Sequence, residues 1–593
     1  MYAQGQDGDD EVGKDKNGMK QSKLLSPKIG YPLMGLIGFL FVFFFKTEKN
    51  LADWGNILWT AKYTWTTLAV SLVLGGLIGC VFAFLFYYFA GREASDRSIW
   101  QKGSLRIQAL SSKQVFWISL ILIVLSWLPS YLAYYPGICA YDSPIQTGQV
   151  VDNSYVDHHP IAHTLLIKVA MSLGENVFGD TNTGIAVYTA FQMLFLACAM
   201  SYGLKMLHHF EIKVRWQVFV LLGCMFYPFN WYMSVSMTKD TVFSSFLLLQ
   251  LVAWVSILLE DRQDLKLRGR EALLFVSTVG MILFRNNGKY AMMVPLVFLV
   301  LMLWRGKESR KLWGRLLLCC GVAFLVGNIG VSALFSATKA EQGDRREMLS
   351  LPIQQLARSM IYHGGVGVLP EDDNTMEDAD KALINDFILN EAYKDYDPHI
   401  ADPVKRNTNT YVVRYRYKDF LKTYLNLLTQ YPGDMINAGL EVNAGFLYPG
   451  DTSHADINEE EGARNKGYVQ TRWEEETLNA RGIYKDSKWE WLFVKLEQWS
   501  EDNAYLDIPV LKYLFVPGVF LWYYFLLIGV LAIKRRFRMC LPISLIGGYY
   551  LTMFLGPTVQ LRYIYPVMIA LPFLVLLCEG KYKSENRRKK DDI

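Results

Sequence analysis

The sequence has little of what marks a nucleic-acid binder or a disulfide-built secreted domain. A net charge of +4 over 593 residues is too small to make nucleic acid a partner. Of 8 cysteines only Cys139 falls in a stretch predicted to lie outside the membrane; the rest lie in or beside apolar runs. The long hydrophilic stretch from Ser336 to Pro509 has none, which excludes a disulfide framework there and fits a bacterial exterior better than a reticulum lumen. No small-residue cleavage site precedes the first apolar run, so the polar, mixed-charge N-terminus reads as a disordered cytoplasmic tail and not a signal peptide. Tandem repeats and low-complexity tracts are missing. So are Lys and Arg between Gln114 and Ile167.

What is abundant is apolar sequence. Hydrophobic residues make up 52% of the chain, aromatics 14%, and the mean hydropathy is +0.15. Many runs reach the roughly 17–25 residues that cross a bilayer core. About twelve spans are predicted, near 30–45, 66–90, 114–133, 183–204, 215–233, 241–259, 271–285, 290–304, 315–335, 510–533, 539–556 and 562–578. With the N-terminus inside, the basic clusters around Arg92–Lys113, Lys205–Arg215, Arg262–Arg270, Arg305–Lys311, Lys534–Arg538 and Arg587–Lys590 all fall on the cytoplasmic side. That agreement with the positive-inside rule fixes the expected orientation.

The expected organisation is a cytoplasmic tail (1–29), a transmembrane module (30–335) with an outer loop at 134–182, an extracytoplasmic segment (336–509), C-terminal transmembrane helices (510–580) and a basic cytoplasmic tail (581–593). The segment 336–509 carries about a dozen more acidic than basic residues. Aromatic and aliphatic residues recur through it, with helical spacing in Pro352–His363, Tyr411–Leu428 and Trp489–Trp499.

Once the spans are set, the unusual polar groups gather on one face. The outer loop holds Asp142, Asp157, His158, His159 and His163, three of the chain's 8 histidines. Lys239-Asp240 stands at the outer end of one span, Arg285, Asn286 and Lys289 in the turn of FRNNGKY, Arg358 in the hydrophilic segment, and Arg562-Tyr563 at the start of the last span. Ionisable groups at membrane depth are costly and are functional candidates by default. Alternatively they are headgroup-level charges or interhelical pairs. His159 and His163, four apart after Pro160, could share a helix face and, with Asp142 and Asp157, hold a divalent zinc or manganese ion. The competing expectation is that His163 packs inward while His158 and His159 bind substrate or backbone.

A multi-span chain with an acidic residue in its first large outer loop, surface helices after it, an outer soluble portion and a late RYIYP element (562–566) resembles the GT-C class of glycosyltransferases. The YPG…YD…HHP..HT pattern and FRNNGKY are similar to an uncharacterised bacterial family of such membrane proteins. The resemblance runs from Gln114 onward and leaves out the first two spans. It implies a GT-C-like α-helical polytopic fold in the cell membrane, and sugar transfer from a polyprenyl-phosphate donor to an extracytoplasmic glycan or lipid acceptor. It also makes Asp142 the base. The class often has two adjacent acidic residues, whereas here Ser143 follows Asp142; Asp157 is then the candidate second carboxylate.

The residue types suit that chemistry independently. A lipid-phosphate sugar carries its own leaving group, so an enzyme needs a base for the acceptor hydroxyl and cations for the departing phosphate. Asp142 supplies the first, and Lys239, Arg285, Lys289 and Arg562 the second. Rival readings are a ligase or polymerase of lipid-linked oligosaccharides, a transporter or flippase, and a non-catalytic receptor. A transporter calls for ionisable groups near the bilayer midplane and often for related halves; here the charges collect at one rim and no repeat is visible.

Overall fold

The computed structural model describes residues 25–90, 101–260, 268–305, 310–343, 345–450, 471, 474–502 and 504–580. The tails 1–24 and 581–593, and the basic residues Arg92, Arg97, Arg262, Lys266 and Lys307, lie outside them. The described residues form helices and no strand, only isolated bridges. Eight helices are long and apolar enough to cross a membrane, and the chain is an α-helical protein of the multi-pass membrane type. We label the elements used below α1 (Pro27–Trp54), α2 (Ala61–Tyr88), α3 (Ser112–Ala133), α4 (Ser143–Val151), α5 (Ile161–Leu173), α6 (Thr181–His209), α7 (Lys239–Leu259), α8 (Arg268–Phe284), α9 (Gly288–Arg305), α10 (Arg310–Thr338), α11 (Ser350–His363), α12 (Pro432–Val442), α13 (Pro517–Ile533), α14 (Cys540–Met553) and α15 (Leu561–Cys578). The other four expected spans coincide with shorter helices: Val214–Phe226, α8, α13 and α14.

The bundle is organised around α7 and α15. Of their most apolar 18-residue windows, 89% and 78% of residues are buried, against 22% for α10. Helix α7 packs on α6, α8 and α15, and α14 packs on α9. Both central helices are apolar all round, as expected of helices enclosed by others or by lipid. At α1 and α2 the backbones touch, because Gly38, Gly75 and Gly79 carry no Cβ that would meet the facing carbonyls.

The hydrophilic segment has its own core, in which Ile353, Leu356 and Met360 of α11 meet Ile384, Phe387, Leu427 and Met435. The sequence periodicity finds these helices well. α11 spans Ser350–His363, and Glu490–Glu501 forms the expected tryptophan-bearing helix, while the single helix expected over 411–428 is split at Arg416 into Thr410–Tyr415 and Tyr417–Gln430.

Arg358, expected to bind phosphate, belongs to this core. It is 1% exposed, and donates to Glu441 (2.7 and 3.0 Å), Asp434 (3.3 Å) and Asn56 (2.7 Å). Its guanidinium is spent on holding α11, α12 and the α1–α2 connection together. Removing one partner of a buried pair leaves the other charge unpaired, at about 3–5 kcal/mol. Arg358→Ala is therefore expected to lower the melting temperature of the purified protein sharply. Wild-type melting would return Arg358 to the functional candidates.

The same segment also caps the end of the bundle that carries the polar residues. Asp486 and Lys488 donate their backbone N–H groups to Tyr135 and Leu132 (3.1 and 2.8 Å), and Ala401 donates to Pro557 (2.8 Å). Arg481 reaches Pro144 and Thr147 of α4.

Candidate functional site

Four helix ends bring the polar residues together. Asp142 is the N-cap of α4, Lys239 and Asp240 open α7, Arg285 follows the last residue of α8, and Arg562 is the second residue of α15. The loop bearing Asp142 is locked to the approach of α7 by backbone bonds. Ile138 N–H donates to Val235 (2.8 Å), Met237 N–H donates to Ile138 (2.9 Å), and the Ser143 hydroxyl donates to the Met237 carbonyl. That lock places Asp142 against Lys239 across 97 residues of sequence.

The Asp142 side chain makes no helix-capping bond. Its Oδ2 accepts from Lys239 Nζ and from Arg562 Nη1 (3.2 Å), and lies 3.9 Å from His159 Nδ1. Among the described residues no hydrogen bond or ion pair reaches Oδ1. Burial by itself would raise this carboxyl, but Arg562, then Lys239, hold it well below the usual carboxylate range.

Asp240 anchors a second layer. Fully buried, it pairs with Arg285 through Oδ1, lies 3.6 Å from Arg562 Nη1, and accepts from the Thr238 hydroxyl (3.1 Å). The Asp240 carboxylate, expected among the substrate-binding residues, is engaged by the two arginines and Thr238. Aromatic rings complete the shell. Arg562 lies over Tyr141 (4.2 Å) and Tyr563 (5.0 Å), and Arg285 over Tyr563 (5.2 Å), Phe243 (5.3 Å) and Tyr549 (5.4 Å). Gln560 accepts from Arg562 Nε (2.7 Å).

His159 is 4% exposed, and its Nδ1 lies 3.3 Å from Lys239 Nζ. Burial first, then the Lys239 ammonium, push its pKa down to about 3, so the ring is neutral at pH 7. An Nδ1 that accepts from an ammonium leaves the ring proton on Nε2, and Nε2 is buried without a partner among the described residues. With His159 neutral, Lys239, Arg285 and Arg562 face Asp142 and Asp240, leaving one uncompensated positive charge. The cluster is built to receive an anion.

The remaining expected residues stand apart. Asp157 accepts from the Gly343 backbone N–H, and Asn286 donates to the carbonyls of Asp157 (3.3 Å) and His158 (3.2 Å), so these residues tie the loop to the start of the hydrophilic segment and to the α8–α9 turn. The exposed ring of His158 packs on His159 at 4.4 Å. Lys289 rests over Tyr290 (4.9 Å), making no contact with the cluster. His163 is fully buried, with Nδ1 on Gln146 (2.9 Å) and Nε2 on Tyr188 (2.8 Å). With both nitrogens engaged it is no metal ligand, and among the described residues no three His, Cys, Asp or Glu groups are placed to hold a metal ion. The set Asp142, Asp157, His159 and His163 is not assembled. Cys139 is fully buried.

Sequence reasoning missed Tyr141, Gln560, Phe243 and Tyr549. Tyr141 and Gln560 lie within two residues of Asp142 and Arg562 and were open to notice; Phe243 and Tyr549 look like ordinary membrane aromatics. No curated protein and no solved structure matches this chain. A family profile covers residues 151–592, taking in His159, Lys239, Asp240, Arg285 and Arg562 and starting after Asp142. By that match the chain belongs to DUF6020, a family of unknown function.

Proposed function

We propose that the protein is a GT-C-like membrane glycosyltransferase, with about twelve spans and both termini in the cytoplasm, that moves a sugar from a polyprenyl-phosphate donor to an extracytoplasmic acceptor. The observation that carries this reading is the Asp142 carboxylate, one oxygen gripped by Lys239 and Arg562 and the other without a partner among the described residues. The grip marks where a phosphate would sit, and the open oxygen is a proton acceptor beside it.

In the reaction the acceptor hydroxyl oxygen attacks the anomeric carbon and its proton passes to Asp142 Oδ1. The bond from that carbon to the phosphate oxygen breaks, and its electron pair leaves with the polyprenyl phosphate. Lys239 and Arg562 stabilise the charge that grows on the departing oxygens, Arg562 with a planar fork and Lys239 as a point charge. One displacement inverts the anomeric centre. No metal is required by these steps.

The charge count favours a monophosphate donor over the diphosphate of a lipid-linked oligosaccharide ligase. A phosphodiester brings one negative charge, which neutralises the cluster's single excess positive charge. A diphosphate diester brings two and would leave a net negative charge in a site of low dielectric. Purified protein in liposomes, offered polyprenyl monophosphate and diphosphate sugars, is expected to consume only the monophosphate. Consumption of the diphosphate alone would make the protein a ligase of preassembled units.

A further inference from the structure

The cations that would bind the donor phosphate are bound to the base. Both reach the same oxygen of Asp142, and each keeps a further hold when that contact is lost: Lys239 on His159 Nδ1 at 3.3 Å, Arg562 on Gln560 Oε1 at 2.7 Å and beside Asp240 at 3.6 Å. His159 and Gln560 are neutral, so they position the cations without satisfying their charge. Asp240 is shared with Arg285 and is fully buried, so it stays with its arginines when a ligand arrives.

We infer that Asp142 and the donor phosphate compete for Lys239 and Arg562, so that the carboxylate stays clamped by the two cations and is released as a base only when a lipid phosphate takes them. The inference rests on the glycosyltransferase reading and adds an order to it: donor first, then a competent base, then acceptor. The exchange is between anions of equal charge. Asp142 gives up two charge-assisted contacts and the phosphodiester gains them, so the net charge of the occupied site is independent of which anion holds the cations. A carboxylate that loses two cationic neighbours becomes a stronger proton acceptor, which is what the transfer step needs. While clamped, the carboxylate is a poor base, so an acceptor or water that enters before the lipid phosphate meets no activated proton acceptor.

Competition has a consequence that a simple base does not share. Removing the carboxylate's charge should improve phosphate binding even as it removes catalysis. Methyl farnesyl phosphate, a phosphodiester with the donor's single negative charge, and dimethyl phosphate are the probes, each titrated into the detergent-solubilised full chain by calorimetry. Asp142→Asn and Asp142→Ala are expected to bind methyl farnesyl phosphate roughly tenfold more tightly than wild type, with a parallel gain for dimethyl phosphate. Asp142→Glu, which keeps the charge, should show no gain, and Lys239→Gln should lose affinity. The two neutral variants guard against one of them failing to fold. Unchanged or weaker binding in both, with Lys239→Gln still losing affinity, overturns the competition and leaves the glycosyltransferase reading standing. No binding to wild type or any variant overturns both.

Discussion

Asp142→Asn is expected to fold, insert and bind donor, and to transfer almost nothing. The substitution keeps the shape of the side chain and leaves the neighbouring Ser143–Met237 hydrogen bond untouched, but an amide oxygen cannot accept the acceptor's proton. Loss of a general base typically costs about 10²–10⁴-fold in rate. The structural cost is modest by comparison. Asp142 is only partly buried, and its cations keep His159, Gln560 and Asp240 after the charge is gone. The measurement is turnover of a lipid-phosphate sugar by variant and wild type at matched protein, with monodispersity as the folding control. Asp157→Asn is expected to fall far less, because the Asp157 carboxylate is occupied by the Gly343 backbone and lies outside the cluster. Full turnover in Asp142→Asn would remove Asp142 from the reaction, and a larger defect in Asp157→Asn would move the base there.

The second large effect is at Arg562. Its guanidinium lies between Asp142 (3.2 Å) and Asp240 (3.6 Å) and over the Tyr141 ring, with Nε on Gln560, so it is aimed before any ligand arrives. A preorganised donor at developing charge is worth roughly 10²–10³-fold when removed. Arg562→Ala should cost at least that in kcat/KM. It also leaves the two carboxylates with one cation each, Lys239 on Asp142 and Arg285 on Asp240, so a loss of stability accompanies it. Arg562→Lys separates the two effects. It retains the charge, and most of the stability with it, yet loses the planar fork, so kcat/KM should remain well below wild type while melting recovers. Wild-type kcat/KM in Arg562→Lys would reduce Arg562 to an interfacial anchor.

Much of this site was legible because charges stand out in an apolar chain. Lys239, Arg285 and Arg562 each interrupt or border a hydrophobic run, and the spans place all three at one end. The pairing was not legible. Asp142 meets Lys239 and Arg562 across 97 and 420 residues, and nothing near it in sequence hints at a cation, since the surrounding stretch has neither Lys nor Arg. Asp240 looks like half of a Lys-Asp dyad but turns to Arg285, because successive residues at the start of a helix point in different directions.

The histidines show a similar limit. The spacing of His159 and His163 fits a metal site, yet only the tertiary partners Gln146 and Tyr188 reveal that His163 is committed to the interior. Arg358 sits on a helix that the periodicity finds correctly, but the burial that assigns its guanidinium to Glu441 depends on α12 and the α1–α2 connection, both far away in sequence. Local pattern fixes elements, and partners decide what a charge is for.

The central claim is transfer from a lipid monophosphate by a single displacement at the anomeric carbon. It is tested most directly by giving wild-type proteoliposomes a polyprenyl-phosphate sugar of defined configuration, then measuring both the lipid phosphate released and the configuration of the new glycosidic bond. The account predicts one polyprenyl phosphate released for each sugar transferred, with the configuration inverted. Retained configuration, or lipid phosphate carried across the membrane with its sugar still attached, would contradict it.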